Sequence, residues 1–82
     1  MNEPQPPKPH PPFSHGVPVT KAALLSATKA NPGQWITAAM LKEADPNLDI
    51  RYAIADLGSL HDLGLATRIG TSPDTLLARW DG

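Results

Sequence analysis

Residues 47–80, NLDIRYAIADLGSLHDLG followed by LATRIGTSPDTLLARW, decide the fold of this chain. The first part predicts a helix of about 15 residues, because apolar side chains recur at steps of three and four. These residues are Ile50, Ala53, Ile54, Leu57 and Leu60, with His61 at the edge of the same stripe. The other side is expected to face solvent or a partner, and it carries Arg51, Tyr52, Ala55, Asp56, Ser59 and Asp62.

The ends of this helix are marked by residues with known capping roles. Asn47 or Asp49 is the expected N-cap, and Gly64 is the expected left-handed stop. Gly58 inside the helix costs up to about 1 kcal/mol of helix propensity, and close packing of another backbone is the expected compensation. After Gly64, two apolar-containing runs at 67–69 and 75–80 flank a turn of Gly, Ser, Pro and Asp, which predicts a β-hairpin with Leu76 or Leu77 inward.

A first helix is predicted upstream, from near Pro18 to Ala30 or Asn31, where Pro32-Gly33 prevents its continuation. Leu25 lies off its apolar stripe and is either a dimer contact or an ordinary exposed leucine. The stripe itself consists of Ala23, Leu24, Ala27 and Ala30.

A short strand over 34–36 follows, and Trp35 can lie on the same small sheet as the hairpin. Thr37 is placed to cap a second helix of about two turns, Ala38 to Ala44. This helix is expected to point Met40, Leu41 and Ala44 inward and to end at Asp45-Pro46-Asn47. The predicted fold class is therefore mainly α with a small β-hairpin.

The N-terminal segment has a different composition from the rest. Six of the ten prolines among the 82 residues lie between Pro4 and Pro12. Residues 1–16 are therefore expected to be a disordered or polyproline-II tail, and 17–82 the folded domain. The tail is either a solubilising leader or a ligand for a groove lined with aromatics. His10 and His15 lack a third donor nearby and make a weak metal site.

Composition also limits the function classes. The chain has no cysteine, which excludes disulfides and thiolate metal sites, and the sequence shows neither a membrane-spanning run nor a signal peptide. A cytoplasmic location is the resulting expectation. The formal charge of −1 argues against a nucleic-acid binder, because phosphate neutralisation supplies most of the affinity of such proteins.

The order helix, short strand, helix, tight turn, helix, hairpin resembles the winged helix-turn-helix family over roughly residues 18–80. Two passages carry the resemblance: Trp35-Ile-Thr37 leading into a short helix, and LHDLGLATR at 60–68. The latter is similar to the passage from recognition helix into wing in MarR-like and related bacterial transcription regulators. The resemblance implies that the third helix enters the major groove of duplex DNA and that the hairpin reaches a neighbouring groove.

The resemblance also implies a set of DNA-binding residues. Arg51 and Tyr52 would read base edges, and an arginine can hold guanine through two hydrogen bonds. Asn47 would bond to phosphate or adenine. The backbone phosphates would be contacted by Thr37, Lys42, Arg68 and Arg79, with Thr71 and Ser72 at the tip of the wing.

Acidic residues on the third helix are a departure from that pattern. Asp49, Asp56 and Asp62 oppose the single Arg51, and Asp56 and Asp62 are expected on the side that would meet the groove. Tight binding by a monomer is therefore not expected, and a homodimer on a palindromic site is the usual remedy. The alternative is a winged-helix protein-interaction module that uses this acidic face and the proline-rich tail.

A catalytic interpretation finds little support in the sequence. None of the carboxylates forms an evident pair with a histidine, and His61 and Asp56 lie on different sides of the third helix. Gly58, Gly64 and Gly70 are spaced as packing, cap and turn positions and not as a nucleotide-binding loop. No enzymatic activity, cofactor or metal is therefore expected.

Overall fold

Three helices and a three-stranded sheet make up an α+β fold in the computed structural model, which describes residues 16–82. The expectations for the proline-rich tail, including His10 and His15, fall on residues 1–15 and lie outside the described residues. The elements are α1 (Val17–Ala30), β1 (Ile36–Thr37), α2 (Ala38–Ala44), α3 (Ile50–Asp62), β2 (Ala66–Ile69) and β3 (Leu77–Trp80).

The predicted helix boundaries are confirmed, and the caps explain them. Pro18 lies in the first turn of α1, where its missing N–H costs nothing. The Thr37 hydroxyl accepts a hydrogen bond of 3.3 Å from the Met40 N–H and so begins α2. Asp49 begins α3 by accepting from the Arg51 N–H at 3.0 Å, and Gly64 adopts φ 78° just beyond the end of α3.

The sheet has the strand order β1-β3-β2 and is antiparallel throughout. The predicted hairpin is confirmed, with Arg68 opposite Ala78 and Thr67 opposite Arg79. The first strand begins two residues later than predicted, since Trp35 precedes it and Ile36 and Thr37 pair with Ala78 and Leu77. Thr37 thus ends β1 and caps α2 at once.

The core lies between α1, α3 and one face of the sheet. Every element of the described chain contributes buried side chains, and the segments before α3 and β3 add Leu48 and Leu76. These side chains include Leu24, Ile36, Leu41, Leu48, Leu57, Leu60, Ala66, Leu76 and Ala78. Among residues 16–82, the helices lack the length and apolar character that crossing a membrane requires.

Three residues expected in or beside the core are exposed. Ala30 and Ala44 are the last residues of α1 and α2, and they extend beyond the elements that cover the inward stripes. His61 lies in the last turn of α3 and is also exposed. In each case the helical periodicity continues past the edge of the core.

Asp56 is the main correction to the expected faces of α3. It was predicted on the outer side, but it is only 2% exposed and accepts a hydrogen bond of 2.7 Å from the hydroxyl of Thr20. Both residues lie within the apolar stripes of their helices, α1 and α3. A carboxylate can be buried there because the hydroxyl replaces a hydrogen bond that water would otherwise supply.

Candidate functional site

The outer side of α3 is the first part of the candidate site. Arg51, Ala55, Ser59 and Asp62 are exposed along it, and Tyr52 is half-buried at its margin. The expectation that Ala55 and Ser59 lie outside the core is confirmed. With Asp56 buried, this side carries one positive and one negative side chain, so it is less acidic than the sequence indicated.

A groove runs between this side of α3 and the tip of the hairpin. It has a volume of about 340 Å³ and is lined by Arg51, Ile54, Ala55, Thr71 and Pro73. Apart from Arg51 and the Thr71 hydroxyl, these side chains are apolar. We call this cavity the α3–wing groove. It unites Arg51 and Thr71, which the sequence predicted as site residues, with Ile54, Ala55 and Pro73, which it did not.

Arg51 is held in place by the residue that caps its own helix. Its Nη2 lies 3.2 Å from Asp49 Oδ2, and its Nε lies 3.4 Å from Oδ1. The hydrogen bond and the charge of Asp49 raise the pKa of Arg51 above its usual value. The Nε–H group and one N–H group of Nη2 therefore point to Asp49, while the Arg51 side chain remains 68% exposed. An end-on approach to Nη1 and Nη2 by an external acceptor remains compatible with this pairing.

The tip of the hairpin is a tight turn stabilised by its own hydroxyl groups. The Thr75 N–H donates to the Ser72 carbonyl at 3.1 Å, and the Ser72 and Thr75 hydroxyls lie 2.9 Å apart. Gly70 enters the turn with φ 84°, and a Cβ there would lie 2.3 Å from the Thr75 carbonyl oxygen. Of the predicted tip residues, Thr71 is exposed at the groove, whereas Ser72 is half-buried and engaged with Thr75.

Arg68 lies on the face of the sheet that packs against α3. It shares that face with Ala78, its partner across the strands, which is fully buried. Its Nη1 donates a hydrogen bond of 3.0 Å to the Ile54 carbonyl, and its guanidinium covers Gly58. Gly58 therefore accommodates an arginine side chain, not the backbone segment that was expected.

Arg79 lies on the opposite face of the sheet from Arg68. Its guanidinium is stacked 4.6 Å from the centroid of the Trp35 ring, and its Nε donates to Asp81 Oδ1 at 2.9 Å. The hydroxyl of Thr67 also donates to Asp81. These two hydrogen bonds, with Thr67 the larger contributor, lower the pKa of the Asp81 carboxyl. Arg68 and Arg79 therefore do not share one surface of the sheet.

The remaining predicted residues lie around α2. The hydroxyl of Thr37 is used in capping, as described above. Lys42 is exposed, and its Nζ donates to the Pro46 carbonyl at 3.0 Å. Asn47 is exposed, and its N–H donates to Asp45 Oδ1 at 3.1 Å. Neither residue lines the α3–wing groove.

Within residues 16–82, no three His, Asp or Glu side chains are grouped closely enough to hold a metal ion. The comparisons with protein-family models, curated proteins and solved structures gave no match to this chain. The likeness to the winged-helix family thus has its basis in the order of elements and the two sequence passages quoted above.

Proposed function

We propose that this chain is a small winged-helix DNA-binding protein and acts as a transcriptional regulator, with α3 in the major groove and the hairpin against the backbone. The observation that carries the proposal is the α3–wing groove, in which an exposed arginine of the helix and a threonine of the hairpin tip line one cavity. A recognition helix flanked by a hairpin is the arrangement that such binding uses.

The charges on this surface are compatible with weak duplex binding. Burial of Asp56 removes one carboxylate from the side of α3 that would meet phosphates. The Arg51–Asp49 pair is exposed, and pairs of this kind contribute only about 0–1 kcal/mol, so a phosphate or a guanine edge can compete with the aspartate. Lys42 adds an exposed cation on α2.

The experiment is fluorescence anisotropy with a random-sequence duplex at low ionic strength. Arg51→Ala is expected to weaken binding more than removal of an exposed cation elsewhere does, because Arg51 lines the α3–wing groove. Lys29→Ala is the matched control, since it removes an equal charge from an exposed position outside the α3–wing groove. Equal losses in both variants, or no duplex binding at the lowest salt concentration, would contradict the proposal.

We propose dimerisation as the source of additional phosphate contacts. Leu25 is 39% exposed on the outer side of α1, where a second copy can cover it. Sedimentation equilibrium of the wild type and of Leu25→Lys tests this. A dimer that Leu25→Lys dissociates supports it, whereas a wild-type monomer at all concentrations opposes it.

A protein-interaction module is the second candidate, favoured by the apolar lining of the α3–wing groove. The acidic face that this role was expected to use does not form, because Asp56 is buried and Asp49 is paired with Arg51. Its partner would instead place an apolar side chain between Ile54, Ala55 and Pro73. Ala55→Glu would abolish such binding, and raised salt would leave wild-type binding largely unchanged, in contrast to duplex binding.

A further inference from the structure

A second groove lies away from the α3–wing groove, where the end of α1 meets β1 and β3. It has a volume of about 280 Å³ and is lined by Thr28, Gly33, Gln34, Trp35, Arg79 and Trp80. We call it the tryptophan groove. Two half-buried indole rings provide apolar surface in it, and the Arg79 guanidinium covers one face of the Trp35 ring, 4.6 Å from its centroid. Gln34 and Arg79, both exposed, provide N–H donors beside them, since the Arg79 ion pair with Asp81 uses only Nε.

One side of α1 connects this groove with the start of the described chain. Val17, Lys21 and Thr28 are half-buried and follow one another along this side, at helical spacing. The Nζ of Lys21 lies 5.5 Å from the centroid of the Trp80 ring. Thr28, further along the helix, lines the tryptophan groove. A segment that runs back along α1 from Gly16 would therefore pass Lys21 and reach the tryptophan groove at the level of Thr28.

The sequence that precedes Gly16 has the chemistry that such a groove binds. Residues 4–12 read PQPPKPHPP. Proline rings stack on indole faces, and a proline has no N–H, so a run of prolines presents carbonyl acceptors that need donors from elsewhere. A groove with aromatic walls and side-chain N–H groups satisfies both needs, as in known recognition of polyproline-II segments.

We propose that the proline-rich segment 4–12 of this chain docks intramolecularly in the tryptophan groove. The chain is long enough for this. From Gly16 to the level of Thr28 is roughly 18 Å along α1, at about 1.5 Å per residue. Residues 13–15 span about 10 Å when extended, and a polyproline-II helix over 4–12 spans about 28 Å more. The proline-rich segment would therefore extend beyond the level of Thr28, which lines the tryptophan groove.

Paramagnetic relaxation in the full-length chain tests the docking. Because the sequence contains no cysteine, Gln5→Cys creates a single site for a nitroxide label. We expect loss of the indole Nε1–H signals of Trp35 and Trp80 and of the Gly33 amide signal, compared with the reduced label. The amides of Ala55 and Ser59, on the outer side of α3, are the internal reference and are expected to keep their intensity.

Two further samples show whether the prolines are needed for docking and whether the tail that occupies the tryptophan groove belongs to the same chain or to a second copy. Replacing Pro6, Pro7 and Pro9 by serine in the labelled chain keeps the tail length and is expected to restore the Trp35 and Trp80 signals. In a mixture of labelled unenriched protein and unlabelled ¹⁵N-enriched protein, we expect no loss, because docking is intramolecular. Loss in the mixture as strong as in the single chain would assign the groove to a second copy and overturn the proposal. Absent or uniform loss in the single chain, or loss that survives the serine replacements, would overturn it as well.

Discussion

The hydroxyl of Thr20 on α1 donates a hydrogen bond of 2.7 Å to the carboxylate of Asp56 on α3, across 36 positions of sequence and inside the core. This contact joins the first helix of the described chain to the helix whose outer side forms the α3–wing groove. It lies on the same side of α3 as the buried apolar stripe, which is the side opposite the residues that α3 presents outward.

Thr20→Val is expected to lower the free energy of unfolding by about 1–3 kcal/mol, the cost of leaving a buried acceptor without one of its donors. Chemical denaturation measures it. Thr28→Val is the matched control, because its hydroxyl makes only a local bond of 2.7 Å to the Leu24 carbonyl in the same helix. If Thr28→Val loses as much free energy of unfolding as Thr20→Val, the hydrogen bond between the helices contributes no more stability than a local one.

The same contact shows why sequence reasoning misplaced Asp56. Ala53, Asp56, Leu57 and Leu60 follow the spacing of a buried helical stripe, as do Thr20, Ala23, Leu24 and Ala27 on α1. The polarity of Asp56 favours the outer side of α3, whereas its position in that stripe favours the core. Two polar residues at core positions of separate helices are a signal for a buried hydrogen bond, but which residues pair depends on tertiary packing that periodicity alone does not supply.

Gly58 and Arg68 form a second linked pair, which a double-mutant cycle can test. A Cβ at position 58 would lie 2.6 Å from Arg68 Nη1, so Gly58→Ala displaces the guanidinium from the Ile54 carbonyl. The lost hydrogen bond, about 1 kcal/mol, is expected to offset the helix propensity gained, also about 1 kcal/mol. Gly58→Ala alone should therefore change stability little.

In an Arg68→Ala background, the same Gly58→Ala substitution is expected to stabilise by about 0.8–1 kcal/mol, since only the propensity gain remains. Thermal or chemical unfolding of the two single variants and the double variant gives the coupling energy. Identical effects of Gly58→Ala in both backgrounds would mean that Arg68 does not restrict this position.

Strand periodicity predicts the face of the sheet on which Arg68 lies, but it does not predict the hydrogen-bond acceptor of Arg68. Ala66 and Arg68 are two residues apart and therefore share a face of β2, and Ala66 is buried. The alternation thus places Arg68 toward α3 and Thr67 away from it. What the sequence lacks is the identity of the acceptor, because the Ile54 carbonyl belongs to a helix that the alternation does not locate. By contrast, the caps Thr37 and Asp49 and the hairpin turn depend on neighbouring residues and were predictable.

The lowered pKa of the Asp81 carboxyl predicts a loss of stability at acid pH. Hydrogen bonds from Thr67 and then Arg79 lower this pKa in the folded state. The stabilisation that they provide is therefore present above the ordinary aspartate pKa of about 4 and is lost as pH falls through the lowered value. A carboxyl-carbon NMR titration of Asp81 measures the folded-state pKa.

Thr67→Val is expected to move the Asp81 pKa back up toward the ordinary range, because it removes the largest contributor. Thr71→Val is the control, since Thr71 lies at the hairpin tip and lines the α3–wing groove instead. An Asp81 pKa that stays unchanged in Thr67→Val would assign the lowering to Arg79 alone.

Asp49 both caps α3 and pairs with Arg51, and the two roles can be separated by substitution. Asp49→Ala removes both and is expected to cost about 1 kcal/mol of stability, the usual loss of an N-cap. Asp49→Ser keeps a capping oxygen but removes the charge, so it should cost only a few tenths of a kcal/mol, because exposed ion pairs contribute little. Chemical denaturation at low and at high salt measures the free energy of unfolding of both variants. The contrary result is that Asp49→Ser is as destabilising as Asp49→Ala at low salt, with a stability difference from the wild type that disappears at high salt. That result would mean that the ion pair with Arg51, and not the cap, stabilises the start of α3.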